Sequence, residues 1–436
     1  MLRPTSTPAQ LLTRSAYKKI DRRVLLFLAM CYAVAYVDRV NIGFAKAQLH
    51  RDLALGDAAY GLGAGLFFIG YVLFEIPSNL LLVRFGARAT ITRILLLWGA
   101  ASMAMSLVVG ETSFYVARFV LGVCEAGFAP GAIYFLSRWY GPGDRARTLG
   151  LLLCAAPIGG AIAAPLSTAI LAVADGWAGF PGWRWLFAIE GAPALLLGVL
   201  CLRTLAESPQ NANWLSPAEK AAVLEVSAKP STHLATGALF VHWIRLLGDK
   251  RVVGLSAVYF SFIAGLYAVS FWLPTILQSA GPLDSFTANV LSGVPMIAAA
   301  ASMYVFGRRS DRTGERRWHG ASLGWIGAAA LAGAVTLHAG AVLALIFMTI
   351  ATACLFAAYS IFWSIPAESF DGADSAGAIA VINTIGLVGG FVSPSVIGVL
   401  RGATGSTAPG VLLIVLGVGI GGVILIALGG RVARTR

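Results

Sequence analysis

Charge is scarce in this sequence. Lys, Arg, Asp and Glu make up 12% of its 436 residues, about half the share of an ordinary soluble domain, while 58% are hydrophobic. That balance excludes the two or three soluble domains the length alone would suggest and implies a chain immersed in lipid. The five cysteines, at positions 31, 124, 154, 201 and 354, stand singly in apolar runs, so neither a disulfide framework nor a metal site is expected. The histidines, 50, 233, 242, 319 and 338, are scattered and offer no metal-ligand spacing or nucleophile–base pair, which argues against an enzyme. Ten-residue alternation is missing as well, and with it the case for a membrane barrel.

What the chain does have is a series of single apolar runs, each about 20 residues and so long enough to cross a bilayer as a helix. They fall near 24–45, 60–82, 91–110, 113–136, 148–173, 185–204, 252–278, 287–306, 319–338, 342–365, 376–400 and 408–430. The expectation is an all-α integral membrane protein of twelve transmembrane helices. The net charge of +12 is not a nucleic-acid signature, because its placement follows the spans. With both termini in the cytoplasm, 26 of the 32 Lys and Arg fall on the cytoplasmic side, as the positive-inside rule requires. Residues 1–23 have no apolar core of their own, so the first span itself is expected to serve as the insertion signal.

A few ionisable residues interrupt the apolar runs, and there they are costly unless they have partners, water or a function. The stretch from Phe114 to Tyr140 carries Arg118 and Glu125, seven residues apart and hence on one helical face. An anion site beside a proton site is one reading; a structural ion pair is the other. The first span carries Asp38 and Arg39, which point about 100° apart, so one faces a cavity while its neighbour turns to another helix. In the second span Tyr71 and Glu75 share a face, and Pro77 loosens the backbone beside them. The seventh span places Tyr259, Tyr267, Phe271 and Trp272 along a helix with Pro274, and the tenth and eleventh contribute Trp363 and Asn383. Glu190 in the sixth span reads as an interfacial or helix-packing residue, and Glu368 and Asp371 as solvated or gate-forming acids at the cytoplasmic end.

Residues 205–250 form the one long polar link, opened by Ser216-Pro217-Ala218-Glu219, a capping box with proline at the first helical position. The division expected is an N-terminal six-helix half at 1–204, a cytoplasmic linker with a short helix at 205–250, and a C-terminal six-helix half at 251–436. The halves read as copies. A shift of 228 lays Arg84, Gly86 and Arg88 on Arg312, Gly314 and Arg316, and a shift of 230 lays Gly159-Gly160 on Gly389-Gly390. Parallel repeats of this kind form a substrate site at their interface at mid-depth.

The segment GRRSDRTGERR, residues 307–317, resembles the G-x-x-x-D-R-x-G-x-R-R gating loop of the major facilitator superfamily, with Asp311, Arg312 and Gly314 at its motif positions. Its counterpart at 79–88 is degenerate, with Asn79 for the first glycine and Val83 for the acid. YVDRVNIG, FFIGYVLFEIPSNLLL, RFVLGVCEAGFAPG and ESPQNANWLSPAEK are similar to the anion:cation symporter family, especially its bacterial carriers of tartrate, phthalate and hydroxyphenylacetate. The resemblance implies a proton-coupled symporter that takes up an organic carboxylate by alternating access, without cofactor, as a monomer in the bacterial inner membrane; a proton-antiporting efflux carrier of the same fold is the alternative. It also implies roles: Asp38 and Glu125 as proton-carrying acids, Arg118 as their coupling to substrate, Arg39 as the substrate-binding cation, and Tyr71, Trp363 and Asn383 as cavity lining. Glu75 and Tyr267 join the substrate-binding candidates from the residue reading alone. Where sugar-acid members carry a glutamine in the fifth span, this chain reads Ala155-Ala156-Pro157, which favours a less hydroxylated or aromatic carboxylate.

Overall fold

A computed structural model describes residues 8–226, 246–337, 340–370 and 372–428. Among the described residues all regular structure is helical, the arrangement in which each membrane-crossing segment satisfies its own backbone hydrogen bonds. The N-terminal half comprises α2 (Leu26–Leu53), α3 (Asp57–Phe85), α4 (Ala87–Ala104), α5 (Glu111–Glu125), α6 (Phe128–Ser137), α7 (Pro142–Val173) and α8 (Gly182–Thr204). In the C-terminal half are α10 (Lys250–Ala280), α11 (Ser285–Leu291), α12 (Gly293–Thr313), α13 (Arg317–Thr336), α14 (Ala341–Phe362), α15 (Ser364–Ser369), α16 (Gly372–Thr404) and α17 (Ala408–Ala427). Two short helices, α1 (Pro8–Ile20) and α9 (Pro217–Val226), pack on each other beside the N-terminal half.

Among the described residues, eleven segments are long and apolar enough to cross a bilayer. The twelfth crossing is α13, whose 20 residues are diluted by glycine and alanine and opened by Arg317 and His319; it packs against α14 and α17. The first crossing is longer than its apolar run suggests. A π-helical turn at Asp21–Leu25 joins α1 to α2, and α1 buries Ala16, Tyr17 and Ile20 against protein while Lys18 and Lys19 stay exposed.

The internal repeat has a packing counterpart. On α7, Gly159 lies against the Ala33 backbone of α2, and Gly160 receives Met296 of α12. On α16, Gly389 lies against the Phe260 backbone of α10, and Gly390 receives Phe68 of α3. In each half, therefore, the fifth crossing presses on the first of its own half and accepts a side chain from the second crossing of the other half. The missing Cβ atoms are what allow that approach.

The halves meet along α3–α16, α7–α12 and α2–α10. Several polar ties between them lie toward the end opposite α1. Asp57, paired within its own half with Lys46 at 2.6 Å, takes Arg401 of the other half at 3.0 Å, Lys46 also reaches Thr275 at 3.4 Å, and the Tyr60 hydroxyl donates to the Phe271 carbonyl at 3.2 Å. A lysine over the Trp272 ring, 4.1 Å from its centroid, adds a cation–π contact to the same cluster.

Candidate functional site

Glu125 is the last residue of α5, and the helix stops there for a local reason. Ala126 is extended (ψ 132°), Gly127 adopts φ +85°, and α6 begins at Phe128 with Pro130 in its first turn, where a missing N–H costs nothing. The continuous crossing expected from Phe114 to Tyr140 is thus two helices with a break beside the acid. A carboxylate in the last helical turn meets the negative end of the helix dipole, so it needs a cation. Arg39 of α2 supplies it: its Nη2 donates to Glu125 Oε1, and its Nη1 donates at 2.9 Å to the Tyr267 hydroxyl on α10. The guanidinium lies 5.2 Å from the Phe67 ring centroid and 5.8 Å from that of Tyr71. Arg39, Glu125, Tyr71 and Tyr267 therefore form one group that spans both halves. Glu125 is sealed at 1% side-chain exposure, whereas Arg39 is open at 15%; Arg39 Nε and Glu125 Oε2 have no partner.

Arg118 does not join that group directly. It is wholly buried, its guanidinium lies 5.2 Å from the same Phe67 ring, and it donates long bonds to the carbonyls of Gly63 and Ala64, at 3.4 and 3.5 Å. Nη1 is unpartnered, and Asp38 and Glu125 supply the negative field around it. Arg118 and Glu125 share a helix without sharing an ion pair.

Asp38, next to Arg39 in sequence, turns away toward α4. Trp98 Nε1 donates to its Oδ2 at 2.7 Å, Ser102 donates to Oδ1, and Asn41 Nδ2 donates to Oδ1 at 3.3 Å. It is 2% exposed. Glu75 and Asn383 are brought together with each other instead: Asn383 Nδ2 donates to Glu75 Oε1 at 2.5 Å, tying α3 to α16. Trp363 packs edge-on against Tyr259, ring centroids 4.8 Å apart. The wall between Arg39 and Trp363 is strongly aromatic, with Tyr32, Tyr36, Tyr259, Phe356 and Tyr359 adding to Tyr71 and Tyr267.

A profile of the Major Facilitator Superfamily matches residues 28–394. The chain belongs to this superfamily. Among its relatives, a candidate metabolite transport protein, NicT, of Pseudomonas putida is 39% identical over 390 residues, covering 88% of this chain and 87% of that one. A candidate tartrate transporter of Agrobacterium vitis is 41% identical over 383 residues, covering 87% and 83%. A quinolone resistance transporter of Acinetobacter baumannii is 38% identical over 381 residues, covering 87% of each. The fold matches that of a bacterial homologue of the human lysosomal transporter Spinster, solved inward-facing and unoccupied, with a TM-score of 0.75 over 99% of both chains at 18% identity. This major facilitator superfamily protein is an integral membrane secondary transporter of a small molecule, not an enzyme.

In the superfamily loop the side-chain contacts run through Arg316. Gly314 ends α12 in the left-handed region at φ +67°, and Asp311 Oδ1 accepts from Arg316 Nη1 at 2.5 Å. Arg316 also reaches Glu368 at 3.2 Å, while Arg312 is exposed and, among the described residues, has no side-chain partner. Glu315 caps α13, accepting from the backbone of Arg317, Trp318 and His319. Burial pushes the Glu315 carboxyl up, but those N–H donors outweigh it and hold the group below its ordinary range. The degenerate N-terminal copy has a substitute: Glu207, from beyond α8, accepts from the backbone of Ala87 and Arg88 at the start of α4, at 2.8 and 3.1 Å. Asp371 lies outside the described residues.

Phe67, Asn41, Trp98 and Ser102 were not among the residues the sequence singled out. Phe67 lies on the same helical row as Tyr71, four residues away, which was the available signal; the donors around Asp38 come from two helices and carry no local signature.

Proposed function

We propose that this transporter takes up an organic carboxylate together with protons across the bacterial inner membrane, working as a monomer with both termini in the cytoplasm and no cofactor. The observation that carries the reading is the Arg39–Glu125 pair, closed by Tyr267 from the opposite half. Arginine suits a carboxylate because its planar fork donates two parallel hydrogen bonds and stays charged. When a substrate carboxylate claims Arg39, Glu125 loses its cation in a sealed site and takes a proton, since burial disfavours the bare anion. Loaded with substrate and proton, the site carries less unbalanced charge, and the two halves can rock past it. Asp38 acts as the second acid, with Arg118 relaying charge between the acids behind Phe67. The aromatic wall supports an aromatic or otherwise weakly hydroxylated carboxylate over a sugar acid.

Glu125→Gln tests the coupling. It is expected to abolish accumulation driven by an inward proton gradient in proteoliposomes while exchange of substrate across the membrane persists; accumulation at the parent's level would sink the assignment. Thermal stabilisation of the purified protein by a panel of mono- and dicarboxylates would name the ligand class, because only a ligand that prefers the folded state raises its melting temperature. The relative named for quinolone resistance favours a second reading, proton-driven efflux. Extrusion of a quinolone from loaded vesicles, with no stabilisation by any carboxylate, would select it.

A further inference from the structure

Asp38 has a second buried acid beside it. Glu190 of α8 is 3% exposed; Ser167 of α7 donates to its Oε1 at 2.6 Å, and its Oε2 has no partner. The Asn41 amide stands between the two acids, donating to Asp38 Oδ1 at 3.3 Å and lying within reach of Glu190. Asn41 Oδ1 is, like Glu190 Oε2, without a partner among the described residues. Both orphan atoms are acceptors in one sealed cluster, and a buried acceptor without a donor costs about 1–3 kcal/mol. The cluster is one donor short.

Its charges tell the same story. Asp38 from α2 and Glu190 from α8 are the acids; α4 contributes only the neutral donors Trp98 and Ser102, and α7 only Ser167. Among the described residues neither Asp38 nor Glu190 forms an ion pair: Arg118 of α5 acts on Asp38 through space, and Arg39 is engaged by Glu125. The two carboxylates are thus left without a paired cation. We infer that Asp38 and Glu190 hold one proton jointly across the Asn41 amide, so that Asp38, the second acid of the carrier beside Glu125, binds its proton as one half of this buried pair and Glu190 positions that proton. The amide suits the task, since a half-turn exchanges its N–H donors and its carbonyl acceptor. With the amide N–H₂ on an ionised Asp38, the carbonyl is free to accept from a protonated Glu190; with the amide reversed, the proton sits on Asp38. Such a pair titrates as a unit and not as two separate acids.

The inference rests on the reading of Asp38 as a proton-carrying acid, and the test separates the two. Infrared difference spectra of the purified carrier through a pH titration read the carbonyl stretch of a protonated carboxyl without any need for transport. The parent is expected to show such a band from this pair, identified among the bands of other buried acids as the one that Asp38→Asn removes. Glu190→Gln, which keeps an acceptor for Ser167 and an N–H₂ group for Asn41, is expected to move the midpoint of the remaining band by about one pH unit. The pH profile of substrate counterflow should move by the same amount, and Glu190→Asp should return both toward the parent. Band and profile superimposable on the parent's in Glu190→Gln would overturn the shared proton and leave Glu190 a packing residue. Should the parent fail to accumulate substrate on a proton gradient, the transport reading falls, and the infrared titration still decides the pair.

Discussion

At the scale of single residues, the site depends on how closely α5 approaches α3. A Cβ on Gly122 would collide with the Phe67 carbonyl and the Tyr71 backbone, the two residues whose rings flank Arg39. Gly122→Ala should therefore push α5 outward, at a cost on the order of 1–3 kcal/mol, and shift Phe67 and Tyr71 off the guanidinium. A lower melting temperature together with weaker apparent substrate affinity is expected. Gly417→Ala, where nothing lies within 4 Å, is the control; equal behaviour of the two variants would remove Gly122 from the account. The charges themselves were legible in the sequence, because an ionisable residue inside an apolar run is expensive and stands out. Their pairing was not. Arg39 and Glu125 are 86 residues apart, while Arg118 and Glu125, which share a face of α5, stand about two turns apart, too far to pair with each other.

At the scale of elements, the same limitation applies to helix ends. Window hydropathy finds α5 and α6 as one crossing because it averages over Gly127 and Pro130, the residues that break it. By contrast the capping box was readable from four letters: Ser216 N donates to Glu219 Oε2 at 2.9 Å and Glu219 N donates to Ser216 Oγ at 3.2 Å. What no local reading could supply is that Glu219 also receives Ser15 at 2.9 Å and Lys19 at 2.8 Å, fastening α1 to α9. Burial pushes the Glu219 carboxyl up, but Lys19, the Ser216 backbone and Ser15 together pull it from an ordinary 4.5 to about 2. A lowered value means that the contact contributes stability above the ordinary carboxylate range and loses it as pH falls through that window toward the lower value. Protection of the α1 amides, measured against their intrinsic exchange rates at each pH, should therefore fall on acidification from about pH 4.5 to about 2, and Glu219→Gln should show lower protection already at neutral pH. Exchange in α1 that ignores both the acid and the substitution would mean that α1 is held by its apolar face alone.

At the scale of the whole molecule, the repeat was legible through Gly159-Gly160 and Gly389-Gly390 because small residues at fixed spacing mark close helix crossings, and those crossings recur in both halves. The clasp that shuts one end was not, since Lys46, Asp57 and Arg401 come from three separate helices and nothing local in the sequence links them. Asp57 is the hinge pin of that clasp: it holds one cation from α2 and one from α16, and without it two like charges are left facing each other across the halves. Asp57→Asn should accordingly destabilise the closed arrangement at the end opposite α1 and raise the population opened there. Spin labels at Ala58 of α3 and Gly402 of α16, where a Cβ added to the glycine would stand 3.8 Å from Ala58, would report a second, longer distance in Asp57→Asn that is rare in the parent. Unchanged distances would mean that the α3–α16 packing holds this end shut without help from charge. Alternating access needs an end that can come apart, and a clasp of three ionic groups over one tryptophan face can be released at less cost than a wide apolar seam, because water compensates charges on opening and does not compensate bared apolar surface.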